Sequence, residues 1–231
     1  MGVARALVKV AIDSEEKRRA GKPAAPSAMQ TADGRLVVIG GASRSGKTAY
    51  VRKRTVAERR IIAWDPEDQW AQERGYRKVT TRKALLDAIQ TPGALRVAYV
   101  AGGDLKAEFD FWAQCVMYAG RYVAGLVAIA EELADVTSPA KAPGGWGILL
   151  RRGLKRGITI YCISQRWSEA DKTAIGNASE FVLFRQSSMD DARYLSRKTR
   201  VPYTMLEVLK PLEYVRFDAG TGATEGGRLR F

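Results

Sequence analysis

Residues 41–48 read GASRSGKT and fit the pattern G-x-x-x-x-G-K-[ST] at every specified position. An apolar run at 36–40 precedes them, and a helix-compatible stretch begins at Lys47. Glycines let such a loop curl so that successive N–H groups point inward and surround a phosphate, and the following helix presents its positive end to the same anion. The motif and its strand–loop–helix setting together predict a phosphate-binding loop.

Two side chains at the end of this loop have predicted roles towards a bound nucleotide. Lys47 can reach the β- and γ-phosphates, and the Thr48 hydroxyl is suited to hold Mg²⁺. The residues expected to bind the nucleotide are Gly41, Ser43, Arg44, Ser45, Gly46, Lys47, Thr48 and Ala49.

The composition narrows the class of protein. The chain has 231 residues, enough for one α/β domain with a sizeable core, and its formal net charge of +13 favours polyanionic partners. The absence of histidine excludes a Cys/His zinc site and any histidine-based triad.

Cys115 and Cys162 lie in apolar runs, so we expect buried thiols rather than a disulfide. No apolar stretch approaches about 18 residues, so we expect no transmembrane segment, and the sequence shows no signal-peptide pattern.

From Gly34 onward, short β-rich runs alternate with helical patterns, which predicts an α/β fold with a mostly parallel sheet and helices on both faces. The predicted strands are 36–40, 61–65, 96–100, 126–130, 158–164, 181–185 and 214–218. The predicted helices are 47–58, 81–90, 105–120, 146–155, 169–177, 189–197 and 203–209. We expect a loosely ordered tail or a docking arm at 1–33, the core at 34–219, and a flexible glycine-rich tail at 220–231.

An acidic pair, Glu131 and Glu132, follows the strand predicted at 126–130. Carboxylates at the carboxyl end of a buried parallel strand are suited to hold Mg²⁺ and to polarise a water molecule. We expect Glu131 to hold the metal, directly or through water, and Glu132 to activate the water that attacks the γ-phosphate. The alternative is a solvated acidic strand end.

Polar residues also end two other predicted strands. Gln165 follows the strand at 158–164, where its amide can sense the γ-phosphate or hold the attacking water; the alternative is a polar residue that closes a strand. Asp65 ends the strand at 61–65 and acts either as an outer group of the metal site or as a helix cap, and we favour the structural role.

The motifs GASRSGKT, VAIAEE and GITIYCISQRW resemble the Walker A, Walker B and sensor-glutamine motifs of the HerA–FtsK superfamily of DNA-translocating ATPases. The stretches 177–185 and 190–192 resemble the last core strand and helix of that family, so the resemblance covers roughly 34–217. The short chain looks most like the genome-packaging ATPases of tectivirus-like viruses, which are tailless, contain a membrane and carry double-stranded DNA. Glu131 departs from the usual Asp, and Leu154 stands where relatives often carry a basic residue.

This resemblance implies a RecA-like P-loop ATPase that hydrolyses ATP with Mg²⁺ and threads double-stranded DNA, without sequence preference, through a homo-oligomeric and usually hexameric ring. It further implies a location in the host cytoplasm or the virion, and a capsid-vertex or membrane protein of the virion as a partner. Such rings complete each active site with an arginine from the next subunit. We expect that residue to be Arg152, with Arg156 as second candidate; the alternative is a solvated basic helix end.

The Pro/Gly-rich segment at 135–146 predicts an exposed loop. Facing a ring channel, it would bring Lys141 to a phosphate and Trp146 to a base or sugar. Alternatively, it is a connector in which Trp146 anchors the next helix. The sequence leaves both interpretations open.

Two other functions compete with the packaging motor. One is a Zot-like ATPase of filamentous-phage assembly, a group that typically carries a transmembrane segment after the core. The other is a small P-loop nucleotide kinase, for which the arginines at 193–200 could form a lid. An acidic pair followed by a glutamine-ended strand favours hydrolysis of ATP by water over transfer to a metabolite.

Overall fold

The computed structural model describes residues 34–140, 142 and 144–231, and a nine-stranded sheet forms the centre of this part of the chain. The strands are β1 (Leu36–Gly40), β2 (Arg60–Trp64), β3 (Arg77–Val79), β4 (Leu95–Tyr99), β5 (Val127–Ala130), β6 (Thr159–Ser164), β7 (Glu180–Phe184), β8 (Glu213–Asp218) and β9 (Thr224–Arg228). Their order across the sheet is β3-β4-β2-β5-β6-β1-β7-β8-β9. All pairs from β3 to β7 in that order are parallel, and β8 and β9 extend one edge in antiparallel fashion.

Helices cover the two faces of the sheet unequally. They are α1 (Lys47–Arg54), α2 (Arg82–Gln90), α3 (Leu105–Ala119), α4 (Leu133–Val136), α5 (Gly144–Arg152), α6 (Lys172–Gly176), α7 (Met189–Thr199) and α8 (Tyr203–Val208), with a 3-10 turn at Leu154–Arg156. Buried residues of the helices from α2 to α8 pack against one face of the sheet and form the larger core. On the other face, α1 supplies Tyr50 and Val51, which pack with Trp70 from a loop. The predicted α/β architecture with helices on both faces is confirmed.

The central strands are continuous apolar runs because both of their faces are covered. In β1, Leu36 and Val38 enter the larger core, whereas Val37 and Ile39 enter the smaller one. All five residues of this strand are buried. Side chains that alternate between two covered faces explain why the strand shows no polar alternation.

All seven predicted strands form within one residue of the predicted bounds. The short strand β3, the single-turn helix α4 and the strand β9 were not predicted. The predicted helices also form, although α1 ends at Arg54 and α6 begins only at Lys172. The tail or docking arm predicted at 1–33 lies outside the described residues.

The segment predicted as a flexible tail at 220–231 instead contains β9, and the sheet therefore extends past residue 219. Pairing with β8 satisfies the backbone of this glycine-rich stretch. Gly227 lies so close to the Tyr214 ring that a Cβ atom would come within 2.4 Å of it. Leu229, just after the strand, is buried in the smaller core.

Trp146 is fully buried, which decides between the two interpretations of the segment at 135–146. Its Nε1 donates to Asp171 Oδ2 at 2.7 Å, and its ring packs against Phe109. Trp146 therefore anchors α5, and the interpretation that it contacts DNA is wrong. Lys141 lies outside the described residues.

The two cysteines are both free and buried, as predicted. Burial raises the pKa of the Cys115 and Cys162 thiols. Within the part of the chain that the structure describes, no helix is both long enough and apolar enough to cross a membrane.

Candidate active site

The predicted site residues meet at the carboxyl edge of the parallel sheet. Gly40 of β1 pairs in register with Ser164 of β6, and Ala130 of β5 pairs with Cys162 of β6. Because β6 lies between β1 and β5, Gln165 emerges between the glycine-rich loop and the acidic pair. These segments line a cleft of about 440 Å³.

The glycine-rich loop needs glycine at two positions for different reasons. Gly46 directly precedes α1, as its N-cap, and has φ of 117°, a conformation that side-chain-bearing residues rarely adopt. Gly41 lies where an added Cβ would come within 2.7 Å of Phe184. Of the residues predicted to bind the nucleotide, those lining the cleft are Ser43, Arg44, Gly46, Lys47, Thr48 and Ala49, whereas Gly41 and Ser45 lie buried in the loop.

The Lys47 ammonium lies inside the loop. Its Nζ donates to the carbonyl oxygens of Gly41 at 2.9 Å and Ala42 at 3.0 Å. Burial lowers the pKa of Lys47, while the nearby carboxylates of Glu132 and Glu131 act in the opposite direction. The loop thus holds a cation at the place where the motif predicts a contact with the β- and γ-phosphates.

Glu131 lies directly against the phosphate loop. Its Oε1 accepts hydrogen bonds from Thr48 Oγ1 at 3.3 Å and from Trp70 Nε1 at 2.9 Å. Burial, with a smaller contribution from the charge of Glu132, raises the pKa of Glu131 to about 7; the Trp70 hydrogen bond opposes this rise. The neighbouring hydroxyl and carboxylate oxygens are the donor types that Mg²⁺ prefers, so these residues fit the predicted metal site.

Glu132 faces a different partner. Its Oε1 accepts a hydrogen bond from Gln165 Nε2 at 2.8 Å, and its side chain is only partly buried. Its backbone adopts φ of 45°, in the left-handed region, which is a sparsely populated conformation for a residue other than glycine. Strain of this kind persists only where the surrounding structure fixes it, and it is concentrated at functional sites.

Trp70 was not predicted as a site residue. It lies in the loop after β2, which Asp65 organises by accepting backbone hydrogen bonds from Gln69 at 2.8 Å and Ala71 at 2.9 Å. Asp65 therefore has a structural role, but it organises the loop that brings Trp70 to Glu131 and does not cap a helix. The usable signal in the sequence was a tryptophan in an otherwise polar loop at the functional edge of the sheet.

The basic cluster at 151–156 precedes β6 and therefore lies at the amino ends of the parallel strands, opposite the cleft. Six residues of β6 separate it from Gln165, roughly 20 Å at about 3.3 Å per residue. Arg152 is exposed, and Arg156 Nη1 donates to Met117 O at 3.2 Å. Burial, together with the charges of Arg121 and Arg152, lowers the pKa of Arg156. Within one chain, neither predicted arginine reaches the cleft.

No family model matches the chain. It is 32% identical over 139 residues to Protein P9 of Pseudoalteromonas phage PM2. This match covers 60% of the chain and 62% of the phage protein, so it spans less than two thirds of that relative.

Solved structures resemble the fold over most of its length. The genome packaging NTPase B204 from Sulfolobus turreted icosahedral virus 2, solved with AMPPCP, superposes with a TM-score of 0.70 at 14% identity. That match covers 85% of this chain and 98% of B204. The bacterial conjugative coupling protein TrwB, as the variant TrwBΔN70, gives a TM-score of 0.62 at 10% identity and covers 86% of this chain and 85% of that one. The predicted RecA-like P-loop fold is therefore confirmed, because this chain and B204 share it over most of their lengths.

Proposed function

We propose that this protein hydrolyses ATP to move double-stranded DNA, and that it serves as the genome-packaging motor of a virus. The observation that carries the proposal is the meeting of three groups in one cleft: the Lys47 ammonium, the Thr48–Glu131 pair and the Glu132–Gln165 pair. These groups correspond to the parts that phosphoryl transfer to water requires, namely a phosphate cradle, oxygen ligands for a metal and a base that activates water.

The contacts favour different roles for Glu131 and Glu132. Thr48 and Glu131, already hydrogen-bonded to each other, would hold Mg²⁺. When bound, this ion neutralises negative charge on the β- and γ-phosphates. Glu132 has the more accessible carboxylate and would accept a proton from the attacking water, with Gln165 fixing its orientation.

Several features support DNA as the polymer that is moved. The formal net charge of +13 favours a polyanion, and phosphate contacts of this kind do not depend on base sequence. B204 is described as a genome packaging NTPase, and its complex with AMPPCP supports ATP as the nucleotide here. The fold likeness to a conjugative coupling protein is in keeping with an ATPase that acts in DNA transfer.

The position of the basic cluster supports action between subunits. Arg152 lies near the amino end of β6, whereas the cleft of the same chain lies at the carboxyl end. It can therefore meet a nucleotide only in a neighbouring copy. We therefore propose a homo-oligomeric ring, hexameric by resemblance, in which Arg152 completes the next subunit's site and Arg156 is the second candidate. A vertex or membrane protein of the virion is the proposed docking partner, with the motor in the host cytoplasm or on the virion.

The direct test measures release of phosphate from ATP with and without double-stranded DNA of unrelated sequences, together with the mass of the assembly. We expect DNA of any sequence to stimulate hydrolysis by an oligomer, with no small-molecule acceptor present. Full activity of a monomer that does not respond to DNA would contradict the proposed motor function. So would phosphate transfer that requires a metabolite acceptor, and either result would favour a nucleotide kinase.

A further inference from the structure

The β8–β9 hairpin is fastened to the phosphate loop. The backbone N–H of Leu212, which precedes β8, donates to Ser45 O at 3.0 Å, and Leu229 N–H donates to Leu212 O at 2.9 Å. The side chains of Leu212 and Leu229 lie near Gly46, where an added Cβ would come within 3.2 Å and 3.3 Å of them. The segments flanking the hairpin therefore form part of the wall of the cleft.

Leu212 holds an unfavourable backbone conformation at this wall. Its φ is 69°, and a bulky residue in the left-handed region is an outlier that its surroundings must enforce. The two backbone hydrogen bonds supply that constraint. The result is a half-buried leucine side chain that lines the cleft.

Phe231 lines the same cleft and leaves 87% of its surface exposed. Lys53 of α1 donates to the carbonyl oxygen of the preceding residue, Arg230, at 3.3 Å, which holds this part of the chain beside the helix. An exposed aromatic ring at the wall of a concave site offers a flat apolar surface to a ligand.

The order of the strands shows which end of a nucleotide would meet this surface. Glu131 and Gln165 follow β5 and β6, on one side of β1, whereas Leu212 and Phe231 belong to the β8–β9 side. With the γ-phosphate directed towards the acidic pair, the nucleoside end would extend the other way along the cleft, towards Phe231.

We propose that Leu212 and Phe231 form the nucleobase subsite, with the base of a nucleoside triphosphate stacked on the Phe231 ring. The proposal rests on the function proposed above and identifies the part of the cleft that distinguishes a nucleotide from inorganic polyphosphate. Stacking uses the face that every base has, so this subsite favours large purine rings and discriminates little between adenine and guanine.

The test compares the binding of ATP and of inorganic tripolyphosphate, both with Mg²⁺, to the wild type, Phe231→Ala and Phe231→Trp. Val208→Ala is the matched control, because Val208 is 75% exposed on α8 and does not line the cleft. We expect Phe231→Ala to weaken ATP binding about tenfold and to leave tripolyphosphate binding unchanged. Phe231→Trp and Val208→Ala should bind ATP like the wild type.

Each outcome separates the subsite from the phosphate site. ATP binding by Phe231→Ala within twofold of the wild type would overturn the subsite while leaving the phosphate loop in place. An equal loss for ATP and tripolyphosphate would also overturn it, because the residue would then support the loop rather than the base. A wild type that binds neither compound would contradict the proposed function itself.

Discussion

Glu131 and Glu132 are adjacent in the chain but have different surroundings. Glu131 is almost completely buried and receives hydrogen bonds from Thr48 and Trp70, whereas Glu132 is partly exposed and receives one from Gln165. The left-handed backbone of Glu132 turns the chain sharply between β5 and α4. This turn lets one acid support the phosphate loop while the other faces the cleft.

Replacement of each acid by glutamine should therefore give different defects. Glu132→Gln keeps an oxygen that can accept the Gln165 hydrogen bond but removes the base, so ATP should bind while turnover falls about a hundredfold or more. Glu131→Gln keeps the hydrogen bond from Trp70 but removes the charge, so ATP binding should require more Mg²⁺.

Single-turnover hydrolysis and ATP binding over a Mg²⁺ titration measure the two effects separately. If Glu131→Gln traps ATP and Glu132→Gln turns it over normally, the two roles are reversed.

The Lys47→Ala substitution tests the phosphate loop itself. It removes the cation that the loop carbonyls hold, so ATP turnover should fall to background while the circular dichroism spectrum stays native. Lys106→Ala on α3 controls for the loss of a positive charge, because Lys106 is exposed and does not line the cleft. Turnover at the wild-type rate in folded Lys47→Ala would contradict the role of Lys47 as the cation that contacts the phosphates.

In the β8–β9 hairpin, Gly226 and Gly227 provide a matched pair of substitutions. A Cβ at Gly227 would lie 2.4 Å from the Tyr214 ring, whereas a Cβ at Gly226 would meet nothing within 4 Å. Gly227→Ala should lower the free energy of unfolding by about 1–3 kcal/mol, and Gly226→Ala should change it by less than about 0.5 kcal/mol. Denaturant unfolding of both variants measures the difference. Equal stabilities would show that Gly227 of β9 does not lie against the Tyr214 ring of β8.

The same hairpin shows where sequence patterns stop being informative. The buried strands were predicted because coverage on both faces produces continuous apolar runs, as in β1. In contrast, β9 reads TEGGR, and its pairing with β8 depends on close backbone approach, which no hydrophobic period records. Trp70 was not predicted as a site residue for a related reason. Its hydrogen-bond partner Glu131 lies 61 positions away in the sequence, and only the fold brings the two residues together.

At the scale of the whole molecule, the order of the strands determines which predicted residues become neighbours. The motifs predicted that the phosphate loop, the acidic pair and Gln165 share one edge, because parallel strands place their carboxyl ends together. The position of β6 between β1 and β5, which lets Gln165 reach Glu132, came only from the structure. Arg152 lies at the amino ends of the parallel strands, opposite the cleft, and its proposed role therefore depends on a second copy of the chain.

Substitution of Arg152 tests whether this residue acts on a neighbouring copy of the chain. Arg152→Ala should bind ATP normally, because the substitution is distant from its own cleft, but it should lose turnover if the arginine acts on a neighbouring subunit. Mixing Arg152→Ala with Glu132→Gln should restore part of the activity, since some interfaces then combine an intact Glu132 with an intact Arg152. Arg156→Ala is the comparison, because Arg156 is held by Met117 O and its loss should mainly affect stability. Steady-state ATPase rates of the single variants and of their mixtures decide the matter. Normal turnover by Arg152→Ala alone, or no recovery in the mixture, would exclude Arg152 as the residue that acts between subunits.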